Sequence, residues 1–366
     1  MPTDRPVTLR AIAEELGVSA KTVSNAFSRP DQLSDRLREE VLATARRLGY
    51  PGPNPLAAGL RRGRVGAIGV AYDNGLSYAF DDPVAVELLA GASTVAEPAG
   101  AGLLLVPGSV DAHRREAAVT DAVVDGMVVS SLADDDPLVV AAVGRRLPLA
   151  VVDQPRPDRL AELGAPDTPW VGIDDRAAAA AVAGHVLALG HRRIAVVSFG
   201  LHREPIRRGL VDEAGQAAAT YAVSRDRLAG YRDAAAGVGI DWAGVPVFHG
   251  EDSTPAVGAA GAAAVLATDP RPTALLCTSD RLAEGVLRTA ARLGLRVPAD
   301  LSVAGFDDAA PAAGLGLTTV RQPTRRKGEE AVRALLDRLA GQPGAGPRTL
   351  PTELVVRTST GPPPVS

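Results

Sequence analysis

Seven consecutive residues, "SAKTVSN" from Ser19 to Asn25, carry a dense set of short polar side chains. The hydroxyls of Ser19, Thr22 and Ser24 suit phosphate oxygens. Lys21 and Asn25 are longer: an ammonium suits guanine O6 and N7, and a carboxamide suits adenine N6 and N7. A second group lies far downstream, where short apolar runs end in Tyr72-Asp73-Asn74, Asp153, Thr278-Ser279-Asp280 and Asp307-Asp308. Ligands of parallel sheets bind beyond the carboxyl ends of their strands, where these polar clusters fall.

Other chemistries find little support. The five histidines (113, 185, 191, 202 and 249) form no close pair such as HxxxH, and His191 in "LGHRRI" reads as a helix end. "GAGLLLVPG" lacks the full dinucleotide-binding glycine pattern in its proper place. Cys277 is the only cysteine; it excludes an intrachain disulfide and a multi-cysteine zinc site, and reads as a small buried hydrophobe. No catalytic set, cofactor or metal is expected.

The elements that must hold the first group are three short helices. Thr8 caps Leu9 to Leu16, with Ile12 and Leu16 on one face, and Gly17 ends it. Ser19 caps about Ala20 to Phe27, with Val23 and Phe27 facing inward. A third helix starts at Ser34 and runs through "DRLREEVLATARRLG", with Leu37, Val41, Leu42, Ala45 and Leu48 as its stripe. A tight turn between the first two spells helix-turn-helix, whose second helix enters the major groove. Prolines 51, 53 and 55 stop the third helix, and Leu56 to Leu60 is too short to be helical alone in water.

From Val65 onward short apolar strands alternate with Ala-rich helices, including Val84 to Ala96, Asp175 to Leu189 and Asp280 to Leu293. The strand candidates are "VGAIGVAY", "GLLLVPG", "GMVVSS", "LPLAVVD", "RIAVVSFG", "PVFHG", "ALLCTSD" and "LSVAGFDD". That alternation indicates α/β architecture with parallel sheets covered by helices. Residues 1–64 carry 11 basic against 7 acidic side chains, while the remaining 302 carry 28 against 36. Only the head is therefore suited to a polyanion. No apolar run is long enough to span a membrane, and "MPTDRPVTLR" does not read as a secretory leader. The expected location is the cytoplasm.

"VTLRAIAEELGVSAKTVSNAF" and "LREEVLATARRLGYPGPNPLAAGL" closely resemble the DNA-binding head of the lactose-repressor (LacI/GalR) family of bacterial transcription factors. "LALGHRRIAVVS", "LAGYRDAAA", "ALLCTSDRLAEGVLRTAARLG", "VPADLSVAGFDD" and "LTTVRQP" follow in that family's order, so the resemblance covers about residues 6–360. It implies a three-helix head at 1–50, a hinge at 51–64 and a periplasmic-binding-protein-like effector and dimerisation domain at 65–362. The latter divides into two parallel-sheet α/β subdomains, one of about 65–173 with 323–340, the other of about 174–322 with 341–362.

By the same resemblance, base-reading positions fall on Ala20, Lys21 and Asn25, and phosphate contacts on Ser19, Thr22, Ser24 and Asn54. Ala57 and Leu60 join the DNA-binding set, Leu60 as a wedge in the minor groove. Effector-binding positions fall on Asp73, Asp153, Arg225, Arg227, Ser279, Asp280 and Asp307. Carboxylates and an arginine around a cleft can fork hydrogen bonds to the vicinal hydroxyls of a sugar. The implied function is a ligand-responsive repressor, a homodimer on a palindromic double-stranded operator. The competing reading, a solute-binding protein of a sugar transporter, has no use for a helix-turn-helix. The connection His202 to Tyr221 departs from the family's pattern.

Overall fold

The computed structural model describes residues 7–52, 64–108, 111–201, 208–342, 344 and 346–364. The chain separates into two compact units, Met1–Gly66 and Ala67–Ser366.

The first unit contains α1 (Leu9–Leu16), α2 (Ala20–Ser28) and α3 (Asp35–Arg47). Thr8 and Ser19 cap α1 and α2 as expected, accepting from the Ala11 and Thr22 amides, and Ser34 caps α3 by accepting from Leu37. Gly17 ends α1 at φ 65°, a left-handed conformation that glycine adopts without penalty. Ile12, Ala13, Val23, Ala26, Val41 and Ala45 form the buried centre. Phe27 meets Tyr50 edge-on at 5.8 Å, so the aromatic after α3 closes the open side of this small core.

In the second unit, all eight expected strands occur. They are β1 (Ala67–Ala71), β2 (Gly102–Val106), β3 (Gly126–Ser130), β4 (Leu149–Val152), β6 (Ile194–Phe199), β8 (Val247–Gly250), β9 (Ala274–Cys277) and β10 (Ser302–Ala304). The other strands among the described residues are β5 (Trp170–Ile173), β7 (Gly209–Leu210), β11 (Thr319–Arg321), β12 (Arg348–Leu350) and β13 (Glu353–Val355). One sheet has the order β12-β5-β4-β3-β1-β2, the other β10-β9-β6-β8-β7. Every pairing is parallel except β7 with β8 in the second sheet and the separate β11–β13 pair. β1 sits between β2 and β3, and β6 between β8 and β9, so the strand order reverses at one point in each sheet.

Helices cover both sheets. The ones that matter below are α4 (Leu76–Asp81), α5 (Pro83–Ala96), α9 (Asp175–Ala188), α11 (Ala222–Gly237), α13 (Asp280–Arg292) and α15 (Thr324–Leu339), with short or peripheral α6 (Ala112–Asp121), α7 (Pro137–Gly144), α8 (Pro157–Glu162), α10 (Glu213–Ala217), α12 (Pro255–Leu266) and α14 (Ala310–Gly314) between them. α15 lies on α5 with glycines at the crossing. A Cβ on Gly91 would stand 1.9 Å from the Arg325 carbonyl oxygen, and one on Gly328 2.2 Å from that of Leu88.

Two expectations are corrected here. The resemblance puts residues 341–362 in the second subdomain, yet β12 pairs with β5 and extends the first sheet. The chain therefore returns to the first sheet before β13 joins β11. His191 ends no helix: α9 stops at Ala188, and the buried imidazole is bonded to Thr273 and Ser302 hydroxyls and the Gly361 carbonyl. It ties the C-terminal segment to the second sheet, and burial lowers its pKa. Cys277 is fully buried, as expected.

Candidate functional site

The recognition-type helix is organised by its own side chains. The Ser19 hydroxyl caps the Thr22 amide at 3.0 Å and lies 2.8 Å from the Thr22 hydroxyl. Val23 and Ala26 point into the core, which leaves Ala20 and Lys21 exposed and Ser24 and Asn25 half-exposed on the outer side. The Ser28 hydroxyl donates to the Ser24 carbonyl. Asn25 Nδ2 donates to Gln32 Oε1 at 3.1 Å, a contact from outside the helix that the seven-residue motif does not include. Asn54, Ala57 and Leu60 lie outside the described residues.

The second site is a cleft between the carboxyl ends of the two sheets. A cavity of about 140 Å³ is lined from both sides, by Asp73, Asn74, Tyr78 and Asp153 from the first half and by Tyr221, Arg227 and Asp307 from the second. An adjoining cavity of about 80 Å³ reaches Tyr72 and Lys327. Ser131, Asp153 and Asp307 have φ of 60°, 63° and 120°. Non-glycine residues in this conformation cost about 1–3 kcal/mol each and collect at ligand sites. Here each lies just beyond the end of its strand and lines the cleft.

Buried cations hold the carboxylates. Lys327 Nζ lies 2.7 and 2.9 Å from the two oxygens of Asp153 and also donates to Gln322 Oε1. Arg115 donates to Asp73 at 2.8 Å, and the Tyr221 hydroxyl bonds the other Asp73 oxygen. Arg227 lies 2.9 Å from Asp175 and 3.6 Å from Asp307, and its guanidinium stacks 3.7 Å over the Phe306 ring. Gln322 donates to Asp307 at 2.6 Å. Burial pushes the Asp307 carboxyl up to about 7, opposed by Arg227 and helped by Asp82. Burial also raises Asp82, which caps α5. The buried Tyr72 hydroxyl has no hydrogen-bond partner among the described residues.

Several bonds cross the cleft. Asn74 donates to Asp252 at 3.3 Å, and the Tyr78 hydroxyl to the Ser253 carbonyl at 3.3 Å. Arg156 pairs with Asp226 at 2.6 Å while also holding Asp175 at 2.9 Å. The Gln154 carboxamide accepts from the Val223 amide at 2.9 Å. The two halves are thus drawn together around the cavity.

Of the residues expected here from the sequence, Asp73, Asp153, Arg227 and Asp307 share one cavity. The other three do not line it. Arg225 turns to Asp134 at 3.1 Å, because on α11 it is two positions from Arg227 and faces a different side. Ser279 caps α13 and is bonded to Ser253. Asp280 accepts from the Ala309 amide and the Thr319 hydroxyl, fastening the loop after β10 to β11. Sequence reading missed Tyr78, Asp82, Tyr221, Gln322 and Lys327 as lining groups. Gln322 stands in the quoted "LTTVRQP", so a signal existed for it; Lys327 reaches Asp153 across 174 residues and left none.

Comparisons with known proteins agree on one kind of molecule. Residues 183–360 match the model of a periplasmic binding protein-like domain. An HTH-type transcriptional regulator of Mycobacterium tuberculosis is 43% identical over 364 residues, 98% of this chain and of that one. The lac repressor dimer bound to operator and the anti-inducer ONPF matches with a TM-score of 0.74 at 27% identity, over 98% of this chain and 100% of that one. The transcriptional regulator CelR in complex with cellobiose matches at 0.68 and 27%, over 97% and 100%. No helix among the described residues is long and apolar enough to cross a membrane.

Proposed function

The chain belongs to the lactose-repressor (LacI) family of helix-turn-helix transcriptional regulators, and from that premise we propose how it works. It is a DNA-binding regulator and not an enzyme. In our reading it is a cytoplasmic homodimer that represses by holding a roughly palindromic operator, with α2 of each protomer in the major groove. A small neutral sugar or similar polyol in the cleft sets the operator affinity. The solute-transport reading leaves the capped, basic head without a task.

One observation carries the ligand class. The cations of the cleft are already engaged: Lys327 bonds both oxygens of Asp153 and Gln322, and Arg227 bonds Asp175 and the Thr278 carbonyl. The carboxylate oxygens of Asp73, Asp153 and Asp307 are bonded as well, but each can accept a second hydrogen bond, which favours a ligand rich in hydroxyl donors. The bonds that cross the cleft support a ligand-dependent change in how the halves meet. A ligand shifts the DNA equilibrium only by its differential affinity for the two arrangements, typically about 5–150-fold in operator affinity.

The test is to select bound DNA from a random pool with the full-length protein, then titrate that DNA with and without neutral sugars and their phosphates. A change of operator affinity with a neutral sugar supports the proposal. A response confined to anionic ligands overturns the ligand class, and selection of no DNA sequence at all overturns the role of α2.

A further inference from the structure

Asn25 faces outward from α2, and its carboxamide can present a donor and an acceptor in two opposite ways. The terminal torsion of asparagine is broad and roughly two-fold. Adenine accepts at N7 and donates at N6, so only one orientation matches its major-groove edge; the flipped amide sets donor against donor. A freely turning Asn25 would have to be ordered at the moment of binding, at a cost in affinity and in discrimination.

The segment after α2 supplies a constraint. The Arg29 amide bonds the Asn25 carbonyl at 2.8 Å, and the Gln32 amide bonds the Arg29 carbonyl at 3.0 Å. A short 3₁₀ turn over Pro30–Gln32 follows the helix, and Leu33 packs partly buried on the core of the head. The backbone at Gln32 is thus held close to Asn25. From there Gln32 Oε1 accepts from Asn25 Nδ2 at 3.1 Å. This uses one of the two N–H donors of the amide. The second N–H and Oδ1, the pair that adenine requires, stay available.

We infer that Gln32 is a positioning residue for base readout: it fixes the carboxamide of Asn25 in the orientation that reads adenine. The inference rests on the proposed role of Asn25 in direct readout. It makes operator preference at the Asn25-contacted base depend on a residue seven positions away, beyond the end of the recognition helix. Gln32 is chosen for its acceptor, so the effect follows the chemistry of the side chain at 32 and not its bulk or charge.

The experiment uses the full-length protein and its selected DNA. Comparing pools selected by wild type and Asn25→Ala identifies the base that Asn25 reads; if the two pools rank all bases alike, the underlying readout by Asn25 fails, and with it this inference. Given that base, Gln32→Ala and Gln32→Lys, which lack an acceptor, should each lose about 2- to 10-fold of preference there, the factor expected for ordering one side chain. Gln32→Glu keeps the acceptor and should keep the base ranking, even as its charge lowers affinity for every DNA. In an Asn25→Ala background, Gln32→Ala should change the ranking no further. Two results overturn the inference while leaving Asn25 as a reader: an unchanged ranking in both Gln32→Ala and Gln32→Lys, or an equal loss with and without Asn25, which would make Gln32 a DNA contact in its own right. Hydrogen exchange of the α2 amides, unchanged in each variant, separates positioning from unfolding of the head.

Discussion

Arg227 and Asp307 stand 3.6 Å apart at the floor of the cleft, one on α11 and the other just beyond β10. Arg227 is oriented from behind by Asp175 and Phe306, so Asp307 is the partner that meets the cavity. Removing Asp307 leaves the guanidinium paired with Asp175. Asp307→Ala should therefore abolish the response to effector while operator affinity without effector stays nearly that of wild type. Paired DNA titrations check this; a full response in the variant would remove Asp307 from the site. Arg227→Ala should lose the response too, but with lower stability, because its stacking on Phe306 goes with it.

The raised pKa of Asp307 has a sign that can be measured. Unfolded, the carboxyl ionises near 3.8; folded, burial pushes it up to about 7. Between those values the folded chain holds a proton that the unfolded chain has released. Stability contributed by this group is thus fully present below about pH 3.8 and is lost as pH rises through about 7. The steepest loss for one proton is about 1.4 kcal/mol per pH unit. Burial raises Asp82 and Asp280 in the same direction, and the Asp307 charge raises Asp280 further. The difference between wild type and Asp307→Asn therefore reports Asp307 together with its effect on Asp280, both of the same sign. Urea unfolding from pH 4 to 8 should show that difference shrinking toward the acid side; a constant difference across the range would contradict it.

The crossing of α5 and α15 depends on having no side chain at Gly91 and Gly328. A Cβ on Gly328 would lie 2.2 Å from backbone oxygen, which cannot swing away as a side chain can. Gly328→Ala should cost about 1–3 kcal/mol by overpacking. Gly184, inside α9, is the contrast: a Cβ there meets nothing within 4 Å. Gly184→Ala should gain about 0.5–1 kcal/mol, the helix preference of alanine. Midpoints of urea unfolding compare the two; equal shifts would mean that backbone proximity is not what selects glycine at 328.

What was legible in the sequence was local. Caps at Thr8 and Ser19 are read by side chains within three residues and occur where the pattern put them, and the third helix begins after Ser34 as expected. The apolar strands were visible because parallel strands buried on both faces are continuous hydrophobic runs. β5 (Trp170–Ile173) was not, although it is as long as β4, β8 and β9; nor was the destination of β12, because pairing with β5 is a long-range choice. In the cleft, Asp73, Asp153 and Asp307 were found as polar residues at strand ends. Asp280 shows why that signal is insufficient, because it has a loop amide and a hydroxyl to satisfy elsewhere; Arg225, expected from the family resemblance, has a carboxylate to meet. Lys327 and Tyr221 came from helix α15 and the start of α11, where nothing local marks a residue as facing a cavity.

Ser19 and Lys21 divide stability from readout on the same turn of α2. Ser19 caps the helix through the Thr22 amide, and a cap of this kind is worth about 1 kcal/mol. Lys21 is exposed and outside the core, so the fold of the head does not need it. Ser19→Ala should loosen the first turn and weaken binding to every DNA sequence by a similar factor, with faster amide exchange across Ala20–Ser24. Lys21→Ala should leave that exchange unchanged and alter the order of preference among operator variants, at about 1–3 kcal/mol for the base it reads. Exchange and titration on the same two proteins decide it. If Lys21→Ala kept the ranking and lowered all affinities together, its ammonium would be meeting phosphate and not a base, and the reading of this helix would fall to Ala20 and Asn25.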